Sequence, residues 1–356
     1  MKQRNFFIAS LFSVIILLFC TMLTVFIIDP YCHYRQPRTW LKYRLSNERY
    51  VNDGISKNFD YNAIITGTSM TENFKSSQLN DLFEVNSIKI PYSGGSFKEI
   101  NDNVGKALCL NSNILLIFRG IDYGSILEDS NKMRYDSYPT YMYDDNIWND
   151  YKYLLNKEII IKGIGGVVYY TLKNKNTTNF DEFVSWRSRY KYGKDEVLKR
   201  YIRPLKINRE AIKNSLTEEE IKIIDENIEK NVFRYSKEYP KIKFIYFITP
   251  YSIVYWDKLN QQGDLLKQLQ IEKHFIEKAL QYKNIELYSF FNNYELITNL
   301  NNYKDPNHYS GDVNDQILEW IHEGKYRLTK ENYMEYLNKN REFYVNYDYD
   351  SIFSKK

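Results

Sequence analysis

The residues best suited to chemistry stand far apart in the chain. Ser69 lies in the segment Gly67-Thr68-Ser69-Met70-Thr71, directly after a short apolar run at 63–66. A serine between a buried strand and a helix would expose its hydroxyl at the sheet edge, near the helix's unsatisfied amide donors. A hydroxyl is a weak nucleophile and needs a base within hydrogen-bond reach. Near the other end stands Asp305-Pro306-Asn307-His308-Tyr309. An Asp and a His three apart around a proline can fold back in one turn, so that the carboxylate fixes the imidazole's tautomer. The second ring nitrogen is then left to take a proton from a serine. Taken alone, Ser69 reads equally as a helix cap, and the Asp-x-x-His pair as a cap or a surface turn.

The elements that must position these residues follow from periodicity. Short apolar runs at 63–66, 87–90, 114–118, 243–249 and 285–290 read as strands, several of them buried on both faces. Helical patterns fill 70–83, 97–110 and 265–282, and a last helix begins after Tyr309 and runs through Trp320. Thr217 and Glu220 form a capping box ahead of a charged helix over 218–237. Strand, turn and helix repeated in this order predict an α/β three-layer sandwich with a parallel sheet. Ligands bind such sheets at the carboxyl ends of the strands. Ser69, the Pro91-Tyr92-Ser93-Gly94-Gly95 turn and Arg119-Gly120-Ile121-Asp122 all fall there.

Ser69 after the first strand and Asp305/His308 after the last form a far more specific pair than either alone. The layout resembles the SGNH/GDSL hydrolase superfamily over about residues 59–320, with its early G-x-S block and late DxxH block. The resemblance implies an SGNH/flavodoxin-like fold and a triad of Ser69, His308 and Asp305. It also implies an oxyanion hole completed by Gly94 or Gly95, whose bland reading is a turn needing positive φ. The third block departs from the family, because Asp122 occupies the place of its asparagine. An ionised Asp122 would repel an oxyanion. Either Arg119 compensates as a cation, or Asp122 is turned away to a structural partner. Arg119 itself reads as an ion-pair partner of Asp122 or as a substrate contact.

The chain has 356 residues, with 49 basic and 45 acidic side chains and a net charge of +4, too balanced to argue for nucleic acid. Its 34 tyrosines and 20 phenylalanines suit a carbohydrate or membrane-interface surface, or reflect biased composition. Residues 138–148 read as a glycan-facing surface or as packed loop. Residues 6–28 form an uncharged apolar run long enough to cross a membrane, ending in Ile-Ile-Asp-Pro with no cleavage-site pattern. A plain count of flanking Lys and Arg would leave the large domain in the cytoplasm. Long following domains can be translocated regardless of charge, and Asp29 sits directly at the exit, so the count alone does not decide the orientation.

The anchored layout resembles the superfamily's envelope acyl-transfer branch, as in teichoic-acid D-alanylation and alginate-type O-acetylation. That resemblance implies an extracytoplasmic domain, a membrane-bound O-acyltransferase partner and a glycan or polyol acceptor. The expected organisation is a tail at 1–5, a transmembrane helix at 6–28 and a linker at 29–55. A catalytic domain at 56–325 follows, with a helical insertion at about 123–240, and then a tail at 326–356. Three cysteines give no framework, although an oxidising compartment would allow a Cys32–Cys109 bridge. His33, His274 and His322 lack nearby partner patterns and are expected to be solvated. With no ligand cluster or phosphate loop in sequence, no metal and no cofactor is expected.

Overall fold

The computed structural model describes residues 2–135, 138–144, 146–207 and 215–354. Residues 136–137, 145 and 208–214 of the expected insertion, and 355–356 of the expected tail, lie outside them. The chain forms two compact units, one of residues 1–60 with 135–184, the other of residues 61–134 with 185–356.

The first unit begins with helix α1 (Lys2–Ile28), whose stretch from Gln3 to Ile28 is long and apolar enough to cross a membrane. A helix ends with four carbonyls that have no partner within it, and here all four find one. Val25 O accepts from the Asp29 amide at 2.7 Å, and Phe26 O from Arg35 Nη1 at 2.5 Å. Ile27 O accepts from Arg38 Nε at 2.8 Å, and Ile28 O from the Tyr43 hydroxyl at 2.5 Å.

The segment after α1 is therefore no loose linker. The Asp29 carboxylate accepts the backbone amides of His33, Tyr34 and Arg35 at 2.8–3.0 Å, which turns the chain inward. His33 is buried rather than solvated, 3.4 Å from Asp150 and 3.8 Å from Asp53. Helix α2 (Glu48–Asn58) follows, with the middle of the helix, Val51 to Ser56, buried.

The second unit is built on a six-stranded sheet: β1 (Ala63–Thr66), β2 (Ser87–Lys89), β3 (Leu116–Ile121), β4 (Lys243–Ile248), β5 (Ile285–Ser289) and β6 (Arg327–Leu328). The order is β2-β1-β3-β4-β5-β6, parallel except for β6, which runs antiparallel to β5. Every residue of β1 and β3 is buried, as continuous apolar runs covered on both faces require. Helices α3 (Ser76–Phe83) and α4 (Phe97–Leu110) connect the first three strands, α4 opening on a Ser96–Glu99 capping box. The capping box of Thr217 and Glu220 also forms, ahead of the helix Glu218–Ile228.

The helix expected over 70–83 is instead a 3-10 turn at Ser69–Thr71 followed by α3 from Ser76. Its missing middle is held by side chains that take the carbonyls a helix would need. The buried Lys89 ammonium donates to Glu72 O at 2.6 Å and Phe74 O at 3.0 Å, while Arg187 Nε donates to Asn73 O at 2.9 Å.

The expected C-terminal tail is also folded. Tyr344 stacks on Trp256 with ring centroids 3.8 Å apart and donates its hydroxyl to Phe291 O at 2.6 Å. Tyr336 and Tyr123 donate to the two oxygens of the buried Glu272 at 2.5 and 2.8 Å. Burial pushes the Glu272 carboxyl up to about 7, with the tyrosine and Ser289 hydroxyls opposing it. Tyrosines supply this packing, and a hydropathy count gives them little weight. His274 pairs with Asp225 at 2.7 Å, His322 is exposed, and Cys32 and Cys109 are free thiols.

Candidate functional site

From β1 the chain first steps to β2 on one side and then crosses to β3 on the other. The carboxyl ends of β1 and β3 therefore flank a topological switch point, where open α/β sheets leave a crevice. Ser69 sits there. Gly67, at φ +144, begins the turn, and a side chain on it would meet Thr71 Cγ2 at 2.6 Å. The Thr71 hydroxyl donates to Thr68 O at 2.8 Å, closing a tight bend around the serine.

His308 reaches Ser69 from the segment after β5. Ser69 Oγ and His308 Nε2 are 2.8 Å apart, and His308 Nδ1 lies 2.9 Å from both oxygens of Asp305. Asp305 Oδ1 also accepts the backbone amides of Asn307 at 3.0 Å and His308 at 2.9 Å. Burial raises this carboxyl, but His308 and the two amides together outweigh it and leave it below the usual carboxylate range. An ionised Asp305 on Nδ1 makes Nδ1–H the favoured tautomer and turns the lone pair of Nε2 toward Ser69.

The loop is pinned on several sides. Lys304 N–H donates to His308 O at 3.0 Å, and the Ser252 hydroxyl donates to Pro306 O at 2.7 Å. Asn314 Nδ2 donates to Met70 O at 3.0 Å, tying the last sheet helix (Gly311–His322) to the residue after Ser69. Trp186 meets the His308 ring edge-on at 5.8 Å.

Ser69, Gly94, Gly95, Asp122 and His308 line one cleft of about 530 Å³. The two glycines are not equivalent. The Gly95 amide donates to Tyr92 O at 2.8 Å, and a side chain on Gly95 would meet Tyr92 Cβ at 2.6 Å. Gly95 is thus a turn residue. Gly94, at φ +58, keeps its N–H without an acceptor among the described residues, as does Ser69. Two free amide donors beside a nucleophile are what an oxyanion requires.

Asp122 faces the cleft, and Arg119 does not. Successive side chains of a strand point to opposite faces, so residues three apart diverge. Arg119 is fully buried, donates Nη1 to Asn231 O at 2.8 Å and lies 5.5 Å from the Phe97 ring centroid. Burial lowers its guanidinium to about 10. Neither the expected ion pair with Asp122 nor a place in the cleft is found for it among the described residues. Asp122 Oδ1 accepts from the Tyr251 hydroxyl at 2.7 Å, and Oδ2 has no hydrogen-bond partner among the described residues. Burial pushes the Asp122 carboxyl up, and Thr68, Tyr251, His308 and Arg134 offset that only in part.

Six further cleft residues were not anticipated: Gly124, Ser125, Arg134, Tyr251, Tyr255 and Lys258. Tyr251 was findable, since it follows Pro250 at the carboxyl end of β4. Arg134, which pairs with Glu128 at 2.5 Å, and the exposed Lys258 carry no local sequence signal. No metal-binding group of three or more His, Cys, Asp or Glu occurs among the described residues.

No family model matches the chain, and no curated protein matches it. Among solved structures it is similar to one described as a "putative platelet activating factor from Streptococcus pneumonia", at 12% identity and a TM-score of 0.38. That match covers 78% of this chain and 90% of the other, a likeness too loose to bear on the chemistry of the cleft.

Proposed function

We propose that this chain is a membrane-anchored serine esterase or O-acyltransferase of SGNH type, acting on acyl groups of a cell-envelope polysaccharide or teichoic acid. The observation that carries the proposal is the continuous Asp305–His308–Ser69 hydrogen-bond chain in one cleft with Ser69 and Gly94, whose amides have no acceptor among the described residues. Ser69 Oγ attacks the acyl carbonyl carbon while its proton passes to His308 Nε2. The carbonyl oxygen, now an oxyanion, is held by the two amides. The leaving group departs with the proton from His308, and the acyl group remains on Ser69. An acceptor hydroxyl then gives its proton to His308 and takes the acyl group, and His308 returns that proton to Ser69 Oγ as the serine ester bond breaks. Water in the same place would give the free acid.

Other features support the finer parts of this reading. A cleft of this size, open and carrying Lys258 and Arg134, suits a polymer with anionic groups better than a buried lipid chain. Helix α1 supplies the anchor. The family layout supports an extracytoplasmic domain and a membrane-bound O-acyltransferase partner that delivers the acyl group.

Transfer and hydrolysis are separated by partition. The full chain in detergent micelles, given a short-chain aryl ester and rising concentrations of glycerol, is expected to release aryl alcohol while an increasing share of acyl groups appears on glycerol. Release of free acid alone, unchanged at any glycerol concentration, would leave a plain esterase.

A further inference from the structure

The first unit carries a second apolar helix that its own fold does not cover. Residues Ile159–Leu172, IIIKGIGGVVYYTL, form a π-turn followed by an α-helix. A helix with an apolar face opposite its buried one is suited to a partner surface or to lipid. Here Ile159, Gly163 and Val167 face inward and are buried, whereas the opposite face exposes Ile161, Val168, Tyr169 and Leu172, the last by 79%. Fourteen residues rise about 21 Å, short of the roughly 30 Å of a hydrocarbon core. The helix cannot span, but it can lie in the interface.

Its place in the unit sets its depth. Gly163 packs against the residues that leave α1: a side chain there would meet Pro30 at 2.9 Å and Tyr31 at 3.1 Å. The helix thus docks where α1 would emerge from a bilayer, with its carbonyls already satisfied by Arg35, Arg38 and Tyr43. Lys157, Lys173 and Lys175 flank it and are exposed, Lys162 within it pairs with Glu158 at 2.5 Å, and the Lys175 ammonium lies 5.0 Å from the Tyr169 ring centroid. Lysine ammonium groups beside an apolar face match anionic headgroups above an acyl layer.

We infer that the helix Ile159–Leu172 is an interfacial membrane contact that lays its Ile161–Val168–Leu172 face into the headgroup boundary of an anionic bilayer. With α1, it gives the first unit two points of attachment, so the unit is oriented on the surface and not merely tethered to it. The inference rests on α1 being the membrane anchor.

The test is depth measurement by nitroxide accessibility on the full chain in vesicles of phosphatidylglycerol and phosphatidylcholine. Single labels at Leu172→Cys and Val168→Cys would be compared with Leu11→Cys inside α1 and Lys330→Cys in an exposed polar segment. The background is Cys20→Ala/Cys109→Ala, leaving only the buried Cys32. The expected result is a ratio of oxygen to nickel-chelate accessibility severalfold higher at 168 and 172 than at 330. Values at 168 and 172 equal to that at 330, with Leu11→Cys in lipid, would overturn the inference and assign the face to a protein partner while the anchor stands. An aqueous reading at Leu11→Cys as well would overturn both.

Discussion

His308→Ala is expected to lower kcat/KM for a short-chain aryl ester by about 10⁴-fold to 10⁶-fold, the range for losing one member of a serine triad. In the proposed mechanism the imidazole supplies the base that the Ser69 hydroxyl lacks, and its position is tightly held. Nε2 stands 2.8 Å from Ser69 Oγ and Nδ1 2.9 Å from Asp305. Ser69→Ala/His308→Ala should then be no worse than Ser69→Ala alone, because residues acting as one unit do not add. A His308→Ala enzyme within about tenfold of wild type would remove His308 from the mechanism.

The second large effect concerns Asp122. With Oδ1 accepting from Tyr251 and no hydrogen-bond partner for Oδ2 among the described residues, a neutral Asp122 would carry its proton on Oδ2, where it could meet a ligand's oxyanion. Burial, which pushes the carboxyl up, favours that neutral form. The acid would then take the part an asparagine amide takes in the family the layout resembles, as a carboxylic acid kept neutral in an apolar site can.

Asp122→Ala is expected to cost about 10²-fold to 10³-fold in kcat, the range for one lost oxyanion donor. Asp122→Asn should stay close to wild type at mildly acid pH. Because the wild-type donor is lost as pH rises through the raised Asp122 pKa, Asp122→Asn should overtake wild type toward alkaline pH. The groups facing this carboxyl are Thr68, Tyr251, His308 and Arg134, so the pH profiles would be compared in His308-intact enzymes. If Asp122→Asn proved as impaired as Asp122→Ala, a negative charge and not a proton donor would be required there.

These effects depend on a sheet that periodicity largely revealed. The strands at 63–66 and 243–249 were legible because runs buried on both faces are continuous in apolar residues. The pairing of Ser69 with Asp305 and His308 was legible because parallel sheets gather their functional loops at one edge. What the sequence hid was long-range. The break after Ser69 depends on Lys89 and Arg187 taking carbonyls from residues distant in the chain. Strand β6 has two residues, too few for any alternation to register. The burial of His33 follows from the Asp29 carboxylate folding three amides around itself, which leaves no periodic trace. Arg119 and Asp122 looked like partners because they are close in sequence, but their odd spacing sends them to opposite faces.

The proposed mechanism requires Ser69 to be an activated nucleophile. Intact-mass analysis of the detergent-solubilised full chain after exposure to a fluorophosphonate tests it most directly. Wild type, Ser69→Ala and His308→Ala would be run together after each is shown to fold. The expected result is one adduct on wild type, placed on Ser69 by peptide mapping, none on Ser69→Ala and greatly slowed labelling of His308→Ala. A folded wild type that takes up no adduct, or takes it up elsewhere than Ser69, would contradict the account and leave a binding protein built on the same sheet.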